Sequence, residues 1–214
     1  MNQHNTNVVG IDVGGQKKGF HAVALCGGKV DSMKSHDDPV VIVNWCRDCE
    51  AVVVAVDAPC KWSQMRSSRQ AERDLSKAGI YCFATPTQEI ARKKAFYGWV
   101  FNGAVLYRQL IDRGYTLFDS GQIKGKACIE TFPHAVVCAM KEQVVSAKHK
   151  VSVRRETLRS AGFDDSRLSN IDFVDAALCA VAAQAFSNGD IKAYGNSDEG
   201  FIVVPKGGKS GSTL

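Results

Sequence analysis

The chain has 214 residues, of which 45% are hydrophobic and 23% are charged. This composition suits one compact domain, or one domain with an elaborated insertion, and it excludes a disordered chain except at the ends. The formal net charge of +5 permits a nucleic-acid partner without requiring one. The polar N-terminus lacks an apolar signal region, and no stretch reaches the roughly 20 apolar residues of a membrane span. We therefore expect a cytoplasmic protein with no membrane partner.

Cysteine is frequent, with eight residues spread along the chain, several of them inside apolar runs where a thiol acts as a small hydrophobic group. Cys46 and Cys49 have C-x-x-C spacing, but no second such pair and no histidine pair completes a zinc site. The pair also falls at the end of a predicted helix rather than at its start, which disfavours redox chemistry. We expect free thiols in a reducing compartment.

The first part of the chain predicts an antiparallel meander, a helix and a buried parallel strand. The β-branched run at 8–13 is typical of a central strand, and Gly27-Gly28 is a strong hairpin signal. Asp38-Pro39 is a typical helix start. The predicted elements are strand one at 8–13, strand two at 20–25, strand three at 29–33, a helix at 39–48 and strand four at 51–56.

Helices dominate the rest of the chain. Residues 61–125 are predicted to form a helical insertion between strands four and five, within a single domain over 1–205 that ends in a flexible tail at 206–214. The predicted helices cover about 67–79, 88–95, 97–113, 135–145, 148–160 and 171–186, and the predicted strands cover 115–118, 126–132 (strand five) and 200–204.

Acidic residues stand at the ends of several predicted elements. Asp12, Asp57 and Glu130 end strands one, four and five, while Asp172 and Asp175 share one face at the start of the last helix. Each position also has an ordinary explanation, since helix N-termini favour aspartate and strand ends carry polar residues. Three or more carboxylates at one sheet edge repel each other unless a cation lies among them, and oxygen ligands suit Mg²⁺ or Mn²⁺. Two such ions about 4 Å apart can activate water for phosphodiester hydrolysis.

The order of these elements resembles the RNase H-like fold, an α/β architecture with a five-stranded mixed sheet of three antiparallel and two parallel strands flanked by helices. That fold holds its metal ligands at the ends of strands one and four and on the final helix. The resemblance therefore implies Asp12, Asp57 and Asp175 as metal ligands, with Asp172 or Glu130 as further catalytic acids. The stretch 172–178 also resembles the D-x-x-D-A-L helix of the Holliday-junction resolvase branch.

About residues 8–205 show a closer resemblance, to the domain-of-unknown-function family numbered 429, described as predicted RNase H-like nucleases. This resemblance implies a nuclease that uses Mg²⁺ or Mn²⁺. The matching pieces are Gly10-Ile11-Asp12, Val56-Asp57-Ala58-Pro59, the Arg69…Glu72-Arg73 helix, Ile129-Glu130-Thr131-Phe132-Pro133-His134-Ala135, Asp172-Phe173-Val174-Asp175-Ala176 and Glu199-Gly200.

Basic residues offer candidate contacts to a nucleic-acid backbone. Arg69 and Arg73 lie four apart on one helix face, where they would contact phosphate, pair with the carboxylates or simply face solvent. His134, close to Glu130 in sequence, is a candidate for proton transfer or an ordinary packed histidine. The predicted helix at 148–160 would follow a phosphodiester backbone or form a solvated surface; its basic residues are Lys148, Lys150, Arg154, Arg155 and Arg159.

Three functions remain open from the sequence. The first is a metal-dependent nuclease, and the second is a catalytically silent nucleic-acid-binding module. The third is a phosphotransferase of the actin-like sugar-kinase type, because the segment 10–15 looks like the first phosphate motif of that superfamily. Those enzymes close two domains over ATP, and this chain has room for one domain with an insertion. The sequence also leaves a homodimer open.

Overall fold

The computed structural model describes residues 6–15, 17–65 and 67–207. The described residues form one mixed sheet of eight strands with helices on both faces. The strands are β1 Asn7–Val13, β2 Phe20–Cys26, β3 Lys29–His36, β4 Val53–Asp57, β5 Thr116–Leu117, β6 Ala127–Glu130, β7 Ile191–Asn196 and β8 Gly200–Pro205. The helices are α1 Pro39–Asp48, α2 Gln70–Lys77, α3 Gln88–Arg92, α4 Gly98–Asp112, α5 Pro133–Met140, α6 Lys150–Ser160 and α7 Ile171–Asn188, with a 3-10 turn at Ala95–Tyr97.

The strand order is β3-β2-β1-β4-β6-β8-β7, with β5 also paired to β6. Strands β1, β2 and β3 pair antiparallel, whereas β4 is parallel to β1 and β6 is parallel to β4. These five strands confirm the predicted RNase H-like sheet. Three more strands extend it beyond β6, whose outer edge pairs first with β5 and then, at Glu130, with β8.

The edge strand β7 was not predicted. Its sequence, Ile191-Lys192-Ala193-Tyr194-Gly195-Asn196, has no continuous apolar run, and its side chains are all at least partly exposed. An edge strand of this kind is formed by pairing with its neighbour, here β8, rather than by its own hydrophobic pattern. The predicted flexible tail falls from residue 208 onward outside the described residues.

Alternating side chains of the central strands point to opposite helix layers. On β1, Val8 belongs to the core shared with α2, α5, α6 and α7, whereas Val9, Ile11 and Val13 belong to the core shared with α1 and α4. Gly10 and Asp12 therefore face α7. This alternation decides which strand-end residues meet the last helix.

Helix α7 lies directly against the backbone of β1 at Gly10. A Cβ atom placed on Gly10 would lie 2.1 Å from both the Ala176 carbonyl oxygen and the Ala180 nitrogen, so only glycine permits this contact. Alanine at 176 and 180 keeps the facing side of the helix equally small. The close approach carries the first turn of α7, with its acidic residues, to the end of β1.

The cysteines are free thiols, including Cys46 and Cys49. Burial is the main cause that raises the pKa of the Cys46 thiol far above its usual value. A thiol that stays protonated is a poor nucleophile and a poor metal ligand. The expectation of free, unreactive thiols at the C-x-x-C spacing agrees with this arrangement.

Candidate functional site

Three polar residues lie side by side where β2, β1 and β4 meet the start of α7. Asp12 pairs across the sheet with His21 of β2 and, in the parallel register, with Asp57 of β4. All three occupy the α7 face, because His21 alternates with Val23 and Leu25, and Asp57 with Val53 and Ala55. Asp12 is buried, with 7% of its surface exposed.

Asp12, His21 and Asp172 have the geometry of a candidate metal centre. One ligand atom from each residue lies within 4.8 Å of the other two. Asp172 stands in the first turn of α7, a helix capped by the Asn170 side chain, which accepts a hydrogen bond from the Phe173 N–H at 2.9 Å. The His21 ring is held edge-on against Phe173, with 4.9 Å between the ring centroids.

The Nδ1 atom of His21 is buried and has no hydrogen-bond partner among the described residues. Buried polar atoms in native proteins are almost always satisfied, so an unpaired imidazole nitrogen beside two carboxylates requires an explanation. A bound cation would supply one, because a neutral imidazole is a common metal ligand. The donor set of two carboxylates and one imidazole thus fits a divalent ion.

Sequence reasoning missed His21, although the signal was present. If Val13 pairs with Phe20 across the first hairpin, Asp12 must pair with His21, and the predicted strand bounds already allowed that register. Acids at strand ends are visible in the sequence without any register, whereas the residue that faces Asp12 across the hairpin is visible only once the register is known.

Asp57 and Asp175 extend the group around Asp12. Burial, followed by repulsion from Asp12 and then from Asp175, raises the pKa of Asp57 well above its usual value. Burial also raises the pKa of Asp175 to about 6, with Arg154 opposing the shift and Asp12 adding to it. The pKa of Asp12 is raised by burial and, to a smaller extent, by Asp172, against the opposing effect of Lys18. Asp12 thus interacts electrostatically with three other carboxylates, those of Asp57, Asp172 and Asp175, an arrangement that favours a cation.

Two basic side chains partly neutralise these acids. The Lys18 Nζ lies 2.6 Å from an Asp172 oxygen and 3.4 Å from an Asp12 oxygen. Its stem crosses Gly14 so closely that a Cβ there would lie 2.7 Å from the Lys18 Cβ. Arg154, which projects from α6, donates to Asp175, and its own Nε is buried without a partner among the described residues. Arg154 therefore lies inside the acidic group rather than on an outer surface.

Glu130 points to the opposite face of the sheet. It alternates with Cys128, which belongs to the core shared with α1 and α4, and its two oxygens are both engaged. The Arg69 guanidinium donates to them at 2.5 and 2.7 Å, and the Cys60 N–H donates at 2.8 Å. Arg69 also donates to Glu72 at 2.9 Å and is only 1% exposed. In this arrangement Glu130 is not available as a ligand, and Arg69 pairs with carboxylates instead of reaching a surface.

The remaining predicted residues are spread around the site. Arg73 is partly exposed and lies 3.2 Å from Glu199, and Arg155 binds Asp165 at 3.0 Å. Lys148 is exposed. Burial, with a smaller effect of Arg154, lowers the pKa of His134, so this histidine is largely neutral at pH 7. Among the predicted nucleic-acid contacts, therefore, the structure places Arg154 at the acids and the others elsewhere.

The fold and the acidic group define an α/β protein with the RNase H-like strand order. The chain belongs to the family described as "Protein of unknown function (DUF429)", whose model matches residues 10–199.

Other comparisons are more distant. No curated protein matches the sequence. Among solved structures, one titled "Thermus thermophilus RuvC structure" aligns with 86% of this chain and 97% of its own, at 15% sequence identity and a TM-score of 0.44. No helix in the described part of the chain is both long and apolar enough to cross a membrane.

Proposed function

We propose that this protein is a divalent-metal-dependent nuclease that hydrolyses phosphodiester bonds in nucleic acid. The observation that supports the proposal best is the convergence of Asp12, His21 and Asp172 within ligand range, at a sheet edge that also holds Asp57 and Asp175. When bound, divalent ions at such a site activate water and stabilise the leaving oxygen. Nucleic acid is the proposed partner, while a homodimer and a cytoplasmic location stay predictions from the sequence.

The ligands that we propose differ from those implied by the resemblance in including His21 and Asp172 and in leaving out Glu130. Asp12 remains the shared ligand, but His21 and Asp172 are its nearest partners for a first ion, and Asp57 and Asp175 lie around Asp12 for a second. An imidazole in the set favours Mn²⁺ over Mg²⁺, because Mg²⁺ prefers an all-oxygen octahedron. Glu130 is not included, since its oxygens are bound to Arg69 and Cys60.

The neighbouring residues have defined tasks in this proposal. Asp12 and Asp172 contribute carboxylate oxygens, and His21 contributes a ring nitrogen that no described group uses. Arg154 neutralises Asp175 inside the acidic group, whereas Lys18, whose side chain is 46% exposed, would offset the charge of a phosphodiester at its edge. Because the pKa of Asp175 is raised only to about 6, its carboxyl is mostly ionised near pH 7. Cation binding there therefore releases few protons from this group.

The test is a cleavage panel. Purified protein with Mn²⁺ or Mg²⁺ is incubated with single strands, duplexes, RNA–DNA hybrids and four-way junctions, and we expect cutting of at least one class that EDTA stops. Binding of a substrate without cutting under every metal condition would favour the silent binding module. A rise in Tm with ATP and no cutting would favour the phosphotransferase. Either of these results would overturn the nuclease proposal.

Lys18 supplies a second prediction, about metal affinity. Its ammonium group competes with any cation for Asp12 and Asp172, so replacing it with the uncharged Lys18→Met should tighten Mn²⁺ binding about 3- to 10-fold. Isothermal titration calorimetry with metal-free protein measures this directly. Lys17→Met is the matched control, because it removes the same charge from the adjacent, exposed position. If the two variants bind Mn²⁺ equally well, Lys18 is not a competitor.

A further inference from the structure

A groove of about 350 Å³ lies directly beside the acidic group. Its first wall is formed by residues 13–15 and Lys18, at and just after the end of β1, and its second wall by the segment from the 3-10 turn into the start of α4. The residues that matter for the argument are Gly14, Gly15 and Lys18 on the first wall, and Phe96, Gly98 and Trp99 on the second. The volume is within the range of about 300–1,000 Å³ that is typical of small-molecule sites.

The second wall presents a supported aromatic surface. Phe96 is 66% exposed, which is unusual for a large apolar side chain. The Phe83 ring packs against three aromatic rings of this wall, with centroid distances of 5.3 Å to Phe96, 5.5 Å to Tyr97 and 5.4 Å to Trp99. Exposed aromatic side chains held in this way form the platforms on which proteins stack unpaired nucleobases.

The glycines of the groove are not explained by the protein's own packing. A Cβ on Gly15 or Gly98 would meet no described atom within 4 Å, and neither residue has a positive φ. At Gly98, the first residue of α4, alanine would favour the helix by roughly 1 kcal/mol. Glycine at both positions therefore adds no side chain of its own to the groove and leaves more room between Lys18 and the aromatic rings.

The two walls are fixed to each other. The Asn102 side chain, on α4, donates a hydrogen bond of 2.9 Å to the Gly14 carbonyl oxygen. Within the loop, the Gly14 N–H donates to the Gly19 carbonyl at 2.8 Å. The groove is therefore formed before any ligand arrives, and binding does not cost the free energy of ordering its walls.

The groove also has a fixed position relative to the acids. Val13, Gly14 and Gly15 follow Asp12 directly, and Lys18 lines the groove while its ammonium group contacts both Asp12 and Asp172. A ligand that stacks on Phe96 or Trp99 would therefore share the groove with Lys18, whose ammonium group contacts the acids. A nucleotide has this chemistry, with an aromatic base attached to an anionic phosphate.

We propose that this groove binds the nucleobase of an unpaired nucleotide that adjoins the phosphodiester bond at the acids. The proposal rests on the proposed nuclease function and adds a substrate class to it. A base within a continuous duplex would have to unpair and unstack before it entered the groove, at a cost of a few kcal/mol. Single strands, flaps, loops and branch points, which already hold unpaired bases, are the preferred substrates.

The experiment measures binding rather than cleavage. A single-stranded oligonucleotide with one 2-aminopurine is titrated with protein in Ca²⁺, and gels check that it stays intact. We expect Phe96→Ala to weaken binding about 10-fold, in the range known for loss of one stacked base. We also expect the change in 2-aminopurine fluorescence to be lost. The matched control is Tyr81→Ala, which removes an aromatic ring that is 78% exposed but does not line the groove.

The outcomes separate the groove from the nuclease. If Phe96→Ala and Tyr81→Ala bind the strand equally well, or the wild-type protein binds a continuous duplex as tightly as the single strand, the groove proposal is overturned even if the protein cuts nucleic acid. If Phe96-dependent binding is found and the cleavage panel is negative, the groove stands and the nuclease fails. A dimer that Phe96→Ala dissociates in sedimentation would assign the groove to a second copy of the chain and overturn the proposal.

Discussion

Asp12→Asn is expected to lower metal-dependent cleavage by at least about 100-fold, because loss of a supporting partner of a metal ligand alone costs 10- to 100-fold. Asparagine keeps the shape of the side chain and removes the charge that lies among His21, Asp57 and Asp172. The measurement is the cleavage rate at saturating Mn²⁺ on whichever substrate the wild-type protein cuts.

The same variant should fold normally. Burial raises the pKa of Asp12 against the opposing effect of Lys18, and Asp172 adds to the rise, so burying the charged carboxylate costs free energy that a neutral amide does not. We therefore expect a Tm equal to or above that of the wild-type protein. Asp37→Asn, at a side chain that is 80% exposed, is the matched control and should cut normally. Equal rates in Asp12→Asn and the wild type would identify a contaminating nuclease or a different site.

Arg69→Met has the largest expected effect on stability. Arg69 is 1% exposed and bridges Glu130 and Glu72, so the substitution leaves a buried negative charge without its partner. Breaking a buried pair in this way costs roughly 3–5 kcal/mol, or about 6–20 °C in Tm for a chain of this size. Urea denaturation of the metal-free protein measures the change in the free energy of unfolding.

Arg73→Met is the control on the same helix. Arg73 pairs with Glu199, but its side chain is 34% exposed, so solvent screens the pair and the expected loss is about 1 kcal/mol or less. If both variants lose the same free energy of unfolding, the buried Arg69–Glu130 pair contributes no more to stability than the exposed Arg73–Glu199 pair. If Arg69→Met weakens nucleic-acid binding while the free energy of unfolding stays unchanged, Arg69 contacts the nucleic-acid backbone, as its position in the sequence first indicated.

The sheet could be predicted because its signals are local. The continuous apolar run of β1, the Gly27-Gly28 turn and the Asp38-Pro39 helix start each act over a few residues, and together they determine the order of the first five elements. The close approach of α7 to β1 could not be read in the same way. Gly10 looks like any glycine in a strand until the helix that lies on it is known.

Sequence reasoning locates the acids more readily than the side chains that surround them. Asp12 and Asp57 follow from strand ends, but Glu130 ends a strand whose register puts it on the other face, and a single sequence does not give that register. Lys18 was missed because nothing in a loop lysine indicates that it folds back over Gly14. Arg69 looked like part of a polar helix face, and its burial depends on contacts more than 60 residues away.

The contact between Gly10 and α7 has a consequence for how the acids keep their spacing. Asp12 is carried by one main chain and Asp172 and Asp175 by another, and the two main chains touch at Gly10 with no side chain between them. Backbone atoms in a strand and a helix have no rotamers to change, so the spacing of the two main chains that carry these acids is determined when the protein folds. The repulsion among the acids is therefore balanced by the packing of the core, and a cation arriving at the site has to displace the Lys18 side chain without moving either main chain.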